Sequence, residues 1–309
     1  MAKLLRLSVS PHIHSGRSTA GIMRDVIIAL LPATIAGTVI FGLRALLVVG
    51  VCVASCVLLE LLFNVITKKE QTVGDLSAVV TGLLLALNLP AGIPIWQCVI
   101  GSVFAIIVVK CLFGGLGCNL VNPAIAARVF MIVSFGSMAT QYYPVIVDTV
   151  AGATPLEQIA ADNTPELKDL LLGLHGGAIG ETCALALLLG LIYLLVRRVV
   201  SWHIPVSLIG TVYVLSLFME GFDFVKALAL VLSGGLFIGA FFMATDYVTS
   251  PTTAVGKIIF GVGIGLITFL IRYFGVYPEG VSFAILFMNI LTPYIDSWTA
   301  HKVFGGKKS

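Results

Sequence analysis

The sequence predicts an all-α integral membrane protein. It is expected to have ten transmembrane helices in two inverted five-helix repeats, with both termini cytoplasmic. Three observations lead there. Of 309 residues, 59% are hydrophobic and 11% charged, where a soluble domain has about 25% charged residues; the mean hydropathy is +1.08. The apolar runs reach about 20 residues, the length of helix that crosses hydrocarbon, and the short alternating segments of a β-barrel are absent. The basic residues also sort by loop.

Ten apolar spans fall at about 22–43, 45–66, 75–90, 94–113, 122–144, 180–197, 203–219, 225–244, 257–273 and 280–297. With the N-terminus inside, only Arg44, Lys168, Lys226 and Arg272 of the 18 Lys and Arg fall at outer ends. Lys110 and Arg128 are among those assigned to inner loops. This bias is the positive-inside pattern, and it favours an even number of spans. A net charge of +3 gives no nucleic-acid surface. The opening "MAKLLRLSVSPHIHSGRSTA" lacks the apolar core of a cleavable signal peptide.

The longest connection, 145–179, then faces outward. It divides the chain into a first five-helix half, 1–144, and a second, 180–309. Five is odd, so similar halves would run in opposite directions. "TGLLLALNLPAGIP" and "IGAFFMATDYVTSP" occupy matching places in the two halves, each leading from Gly through apolar residues to polar residues and Pro. Interrupted helices at matching places mark the midplane site of inverted-repeat membrane proteins. Within the loop, "NTPELKDLLLGLH" can form one amphipathic helix, with Thr164 as N-cap before Pro165.

Several stretches carry chemistry. In "DTVAGATPLEQ", Pro155 holds Thr154 out of the α region and Gly152 permits close approach of another chain, so the hydroxyl is open to esterification; a plain linker would look the same. "GGLGCNLVNPAIAAR" is either a tight loop with Asn122 capping a helix that begins at Pro123, or a backbone cradle for an ion or cofactor. In "FFMATDYVTSPTT", Asp246 ends an apolar span among hydroxyl residues. It is either a helix-end cap or a ligand of a cation or proton. Asp75 has a similar place at the start of the third span, where Asp also suits an N-cap. Glu60, inside "CVLLELLF", is the most deeply placed acid. Glu60, Asp75 and Asp246 are therefore the ion-path candidates. His12 and His14 make a His-x-His pair better read as an interfacial segment, and the six cysteines show no metal spacing. No phosphate-binding Gly-rich loop, HExxH or nucleophile elbow occurs.

Five blocks, in order, carry a resemblance: "SPHIHSGRSTAGIMRDVIIALLPA", "LSAVVTGLLLALNLPAGIPIWQ", "KCLFGGLGCNLVNPAIAARVF", "GAFFMATDYVTSPTTAVGK" and "GVYPEGVSFAILFMNILTPYID". They resemble the RnfD subunits of the Rnf complex, relatives of the NqrB subunits of the sodium-pumping NADH:quinone reductase. The short N-terminal segment favours RnfD. The resemblance implies a ten-helix inverted repeat similar to urea and ammonium channels. It also implies FMN joined by a phosphoester to the threonine of an outer-loop motif, Asp-x-x-Ser-Gly-Ala-Thr-x-Leu. The matching residues are Asp148, Gly152, Ala153, Thr154 and Leu156, with Ala151 where Ser is frequent. Similarity to NqrB adds riboflavin as a second flavin, which the sequence does not place.

The expected function follows. The chain would be an electron-carrying subunit of a ferredoxin:NAD oxidoreductase complex in a bacterial or archaeal cytoplasmic membrane, coupling redox to Na+ or H+ translocation. Its partners would be the other membrane subunits, a second flavin subunit, iron–sulfur subunits, a flavin transferase and the lipid bilayer. The rival is a channel or secondary transporter of the same architecture without redox function.

Overall fold

The computed structural model describes residues 18–135, 154–161, 163–275 and 279–300, and every regular element among them is a helix. Two long helices open the chain. α1 (Thr19–Phe41) begins where Ser18 Oγ accepts from Gly21 N at 3.1 Å, and α2 (Leu43–Ile66) follows after Gly42. Their 23 and 24 residues span about 35 Å at 1.5 Å per residue, enough to cross a bilayer core. Ile35, Val39, Leu58 and Leu62 stand exposed on their outer faces. Apolar side chains on the outer face of a helix packed on its other side are what lipid contact requires.

Shorter helices fill the interior. α3 (Ser77–Leu87) is followed by α4 (Ile95–Val103), which continues as a π-helical stretch, Phe104–Cys111. α5 (Pro123–Ser134) begins with Pro at its first position and Asn122 as its cap, as the sequence predicts. Two small helices, α6 (Pro155–Ala160) and α7 (Leu167–Leu172), precede α8 (Ala184–Val196) and α9 (His203–Met219). α10 (Phe224–Leu232) and α11 (Leu236–Ile238, then π-helical Gly239–Met243) follow. α12 (Ala254–Phe274) is a third membrane-length helix, and α13 (Val281–Thr299) packs beside it. α12 lies close along α9: a Cβ on Gly265 would come 2.9 Å from Leu208 O. Membrane helices without a hydrophobic drive to associate use such small residues to bring backbones together.

The eighth span, drawn from sequence over 225–244, is interrupted within the apolar run itself. α10 and α11 meet at a bend of 64° across Ser233, Gly234 and Gly235. Gly234 and Gly235 have φ of +71° and +65°, a left-handed pair that residues with a Cβ rarely adopt. The third span ends as a helix at Leu87. The sixth becomes helical only at Ala184, after an irregular stretch over 173–183. Hydropathy measures apolar content, not direction, so a turn built of Gly and apolar residues reads as part of a span. α7 has Glu166 rather than Thr164 at its N-cap position, with no side-chain capping bond, and it buries Leu170. His12, His14, Asp148, Gly152, Ala153 and the basic C-terminal tail lie outside the described residues.

Candidate functional site

Polar side chains gather in three clusters, of which the second meets α13 at Asn289 and Thr292 and the third lies at its N-terminal end, beside Glu279. The first cluster is built on α2, α3 and α4. The π-helical stretch after α4 carries Lys110 inward. Its Nζ donates to Glu60 Oε2 at 2.7 Å and to Ser77 Oγ at 2.6 Å. Thr72 Oγ1 donates to Glu60 Oε1 at 2.5 Å. Lys110 and Glu60 are each 2% exposed, so Lys110 is no loop charge, contrary to the sequence expectation. Burial also changes the reading of Glu60: it is as deep as expected but already holds a cation, the ammonium of Lys110. A buried charge must be paired. Asp75 accepts from Ser77 N at 2.8 Å and from Ser77 Oγ. It steadies the first residue of α3, but the N-cap is Leu76 and not Asp75, which ends the 3-10 turn Val73–Asp75 before it.

The second cluster surrounds Asp246, just past α11. Its carboxylate receives Asn122 Nδ2 at 3.4 Å, Val248 N at 3.3 Å and Thr249 Oγ1 at 3.5 Å. Asn122 also caps α5 through Ala124 N at 3.0 Å. Thr292 Oγ1 donates to Thr249 O at 2.9 Å. In the amide orientation that satisfies both its atoms, Asn289 accepts from Asn122 N at 3.2 Å and donates to Thr249 O at 3.3 Å. These contacts are long, and among the described residues no Lys or Arg pairs with Asp246. A carboxylate beside hydroxyl, amide and carbonyl oxygens is the donor set of a hard cation. Among the described residues no group of three His, Cys, Asp or Glu could hold a metal ion.

Both clusters open on one cleft, the first through Ser77 and Lys110 and the second through Asn122 and Asp246. Ser77, Lys110, Asn119, Asn122 and Asp246 supply its polar wall; Met23, Leu84 and Phe242 are among its apolar lining. Asn119 Oδ1 is buried there with no hydrogen-bond partner. The stretch "GGLGCNLVNP" is the loop and capped helix start of its first reading, and its Asn119 and Asn122 also line the cleft.

The third cluster lies near the start of α13, where Arg272 Nε donates to Glu279 O at 3.3 Å. Thr154 is the N-cap of α6 in a capping box. Glu157 N donates to Thr154 Oγ1 at 3.4 Å, and Thr154 N donates to Glu157 Oε2 at 2.8 Å. The residue is 9% exposed, not open as the sequence suggested, because the box draws its hydroxyl onto the helix. The cap uses a lone pair of Oγ1 and leaves its O–H free to become an ester. Leu156 packs on the break between α10 and α11, where a Cβ on Gly234 would come 3.1 Å from Leu156 Cγ. Beneath it, Arg272 closes the end of α10, donating to Leu230 O at 2.6 Å, Ser233 O at 2.9 Å and Gly234 O at 3.2 Å. A guanidinium at a helix C-terminus satisfies its orphan carbonyls and opposes its dipole.

Arg128, assigned to an inner loop from sequence, is also buried here. Its Nη1 donates to Asn88 Oδ1 at 2.6 Å, and its Nη2 meets Glu279 directly and lies 3.7 Å from Glu181 Oε2. Arg128, Glu181, Glu279, Arg272 and Lys110 were not singled out as site residues. The available signal was each charge within or beside an apolar run, which loop counting discarded.

A model of the family described as NQR2, RnfD, RnfE matches residues 6–305. The chain is similar, at 49% identity over 98% of it and 96% of the relative, to the subunit lettered D of the Na(+)-translocating ferredoxin:NAD(+) oxidoreductase complex of Acetobacterium woodii. It is 39% identical, over 99% and 97%, to the corresponding subunit of the proton-translocating ferredoxin:NAD(+) oxidoreductase complex of Clostridium ljungdahlii. It is 33% identical, over 98% and 98%, to the corresponding subunit of the ion-translocating oxidoreductase complex of Actinobacillus succinogenes.

Proposed function

Because the chain belongs to the NQR2, RnfD, RnfE family, we propose that it is the membrane subunit of an ion-translocating ferredoxin:NAD oxidoreductase complex, with FMN esterified to Thr154 and electron transfer coupled to Na+ or H+ movement. The observation that carries this reading is the seat of Thr154. The motif threonine caps α6, and the next turn of α6 rests on the break between α10 and α11. A phosphoester at Oγ1 keeps the lone pair that the cap uses. The bound flavin would supply one- and two-electron carriage. This chain's residues hold the attachment oxygen, fix the loop and shape the path nearby. Asp148, Gly152 and Ala153 complete the motif in sequence.

The amphipathic walls of the cleft between Lys110 and Asp246 are where riboflavin would be sought as a second flavin, with Asn119 Oδ1 as an acceptor for the ring. Asp246 is the remaining ion-path ligand of the three acids, since Glu60 is paired with Lys110 and Asp75 with the start of α3. The larger frame of the reading is ten spans, an outward loop over 145–179 and inverted halves in a cytoplasmic membrane. The other Rnf membrane, flavin and iron–sulfur subunits, and a flavin transferase, would be the partners.

The interrupted helices would equally suit a channel or transporter without redox function, so the test must read the flavin. Protein purified from cells that contain the flavin transferase, then denatured in detergent and run on a gel, is expected to give a fluorescent band. Thr154→Ala is expected to give a dark one. A dark wild-type band sinks the redox reading. In vesicles holding the whole complex, Asp246→Asn is expected to slow ion uptake by about tenfold, equivalent to about 1.4 kcal/mol; wild-type uptake removes Asp246 from the path.

A further inference from the structure

Three pieces of chain that lie far apart in sequence meet at Arg128. One is the end of α3, where Asn88 both takes the guanidinium and donates to Leu84 O at 2.7 Å. Another is the break between α10 and α11. The third is the segment 177–181, which leads from the Thr154 loop into α8. This segment is tied to the end of α3 by Ile179 N to Leu89 O at 3.1 Å and Gly180 N to Leu87 O at 2.7 Å. It then delivers Glu181 to Arg128 and to Gly235, where a Cβ would stand 3.0 Å from Glu181 Oε2.

The acids at this point are not equivalent. Glu279 touches Nη2 directly and is 19% exposed, whereas Glu181 is 2% exposed and stands off at 3.7 Å. Glu181 Oε2 is buried and makes no hydrogen bond. Two carboxylates thus compete for one end of a guanidinium whose other end is fixed on Asn88. A planar fork with fixed donor directions cannot serve both equally. Nη2 therefore stands between a direct partner on the more exposed side and, on the side of the helix break, a buried carboxylate oxygen that makes no hydrogen bond. Gly235 adjoins Glu181, and its neighbour Gly234 adjoins Leu156 of α6, so a shift of α6 reaches the same element.

We propose that Arg128 is the positioning residue that couples the loop bearing Thr154 to both interrupted helices, by exchanging its guanidinium between Glu279 and Glu181. The proposal rests on the functional reading above and deepens it. Coupling between distant sites needs a two-state element that both of them bias; the break after α10 lies between α6 and Arg128, and Arg128 reaches from that break to the end of α3.

The test uses the whole complex in sealed vesicles, reading ions moved per electron transferred and in-gel flavin fluorescence together. Arg128→Gln is expected to keep a fluorescent band and to lower the ion-to-electron ratio by about fivefold or more, the low end of measured couplings. Arg128→Lys, which keeps the charge and loses the fork, is expected to recover part of the ratio. Glu279→Gln removes only the half-buried outer partner, so it carries the test if Arg128→Gln fails to assemble; its ratio is expected to fall as well. An assembled Arg128→Gln or Glu279→Gln complex with the wild-type ratio overturns the proposal. A wild-type complex with no flavin in this band, or no ion uptake, sinks the underlying reading instead, so the two failures are separable.

Discussion

At the scale of single residues, Lys110 and Glu60 set the stakes for stability. Each is buried and each satisfies the other. Removing one member of a buried pair leaves a charge without compensation, which costs about 3–5 kcal/mol, while replacing both by apolar residues can be close to neutral. Lys110→Met is therefore expected to lower the thermal midpoint of the detergent-solubilised protein markedly. The double variant Glu60→Met, Lys110→Met is expected to regain most of that loss. A single variant as stable as the wild type would mean that the pair does not form. The depth of Glu60 was legible in sequence from its place in "CVLLELLF". Its partner was not, because Lys110 lies at the end of an apolar run, where a solvated loop charge and an inward-facing one look alike. Thr154 shows the converse: its own stretch reads as a linker and only the family resemblance singled it out, while its burial comes from a box that closes only once Glu157 folds back.

At the scale of elements, the long helices and the capped start of α5 could be read directly. They follow from length, apolar content and the Asn122–Pro123 pair. The break between α10 and α11 could not, although its signal was present as two adjacent glycines inside an apolar run. A Gly pair within a span has two readings, flexible packing or a left-handed turn, and only the contacts of Arg272 and Leu156 decide between them. Gly234→Val would put a branched side chain against Leu156 and force a positive φ on a β-branched residue. Overpacking of this kind costs about 1–3 kcal/mol. The expected result is a lower thermal midpoint, together with faster protease cleavage at α6, read by mass spectrometry of the fragments. Unchanged cleavage would show that α6 does not depend on the break.

At the scale of the whole molecule, the proposed sidedness can be checked with reagents that do not cross membranes. Cys118 is exposed in the turn before α5, on the cleft side, and should react only in inside-out vesicles. Lys168 is exposed in α7. In a Cys118→Ser background, Lys168→Cys should react in intact cells. Labelling of both from one side would overturn the outward placement of 145–179 and the inverted halves with it. The charge bias behind that placement loses Lys110 and Arg128, which are interior, yet the exposed Lys68, Lys69 and Arg198 keep their place in it.

The backbone pairing at the inner end of α3 bears on how the chain is made. The carbonyls of Leu87 and Leu89 find their donors on Gly180 and Ile179. Those residues leave the ribosome some ninety positions later. Until then the first half holds polar backbone in an apolar setting, at several kcal/mol for each unmet group. The first five helices are thus a provisional assembly during synthesis, which the nascent chain completes only when it threads 177–181 back into them. Some ninety positions separate these two stretches in the sequence, but not in the folding.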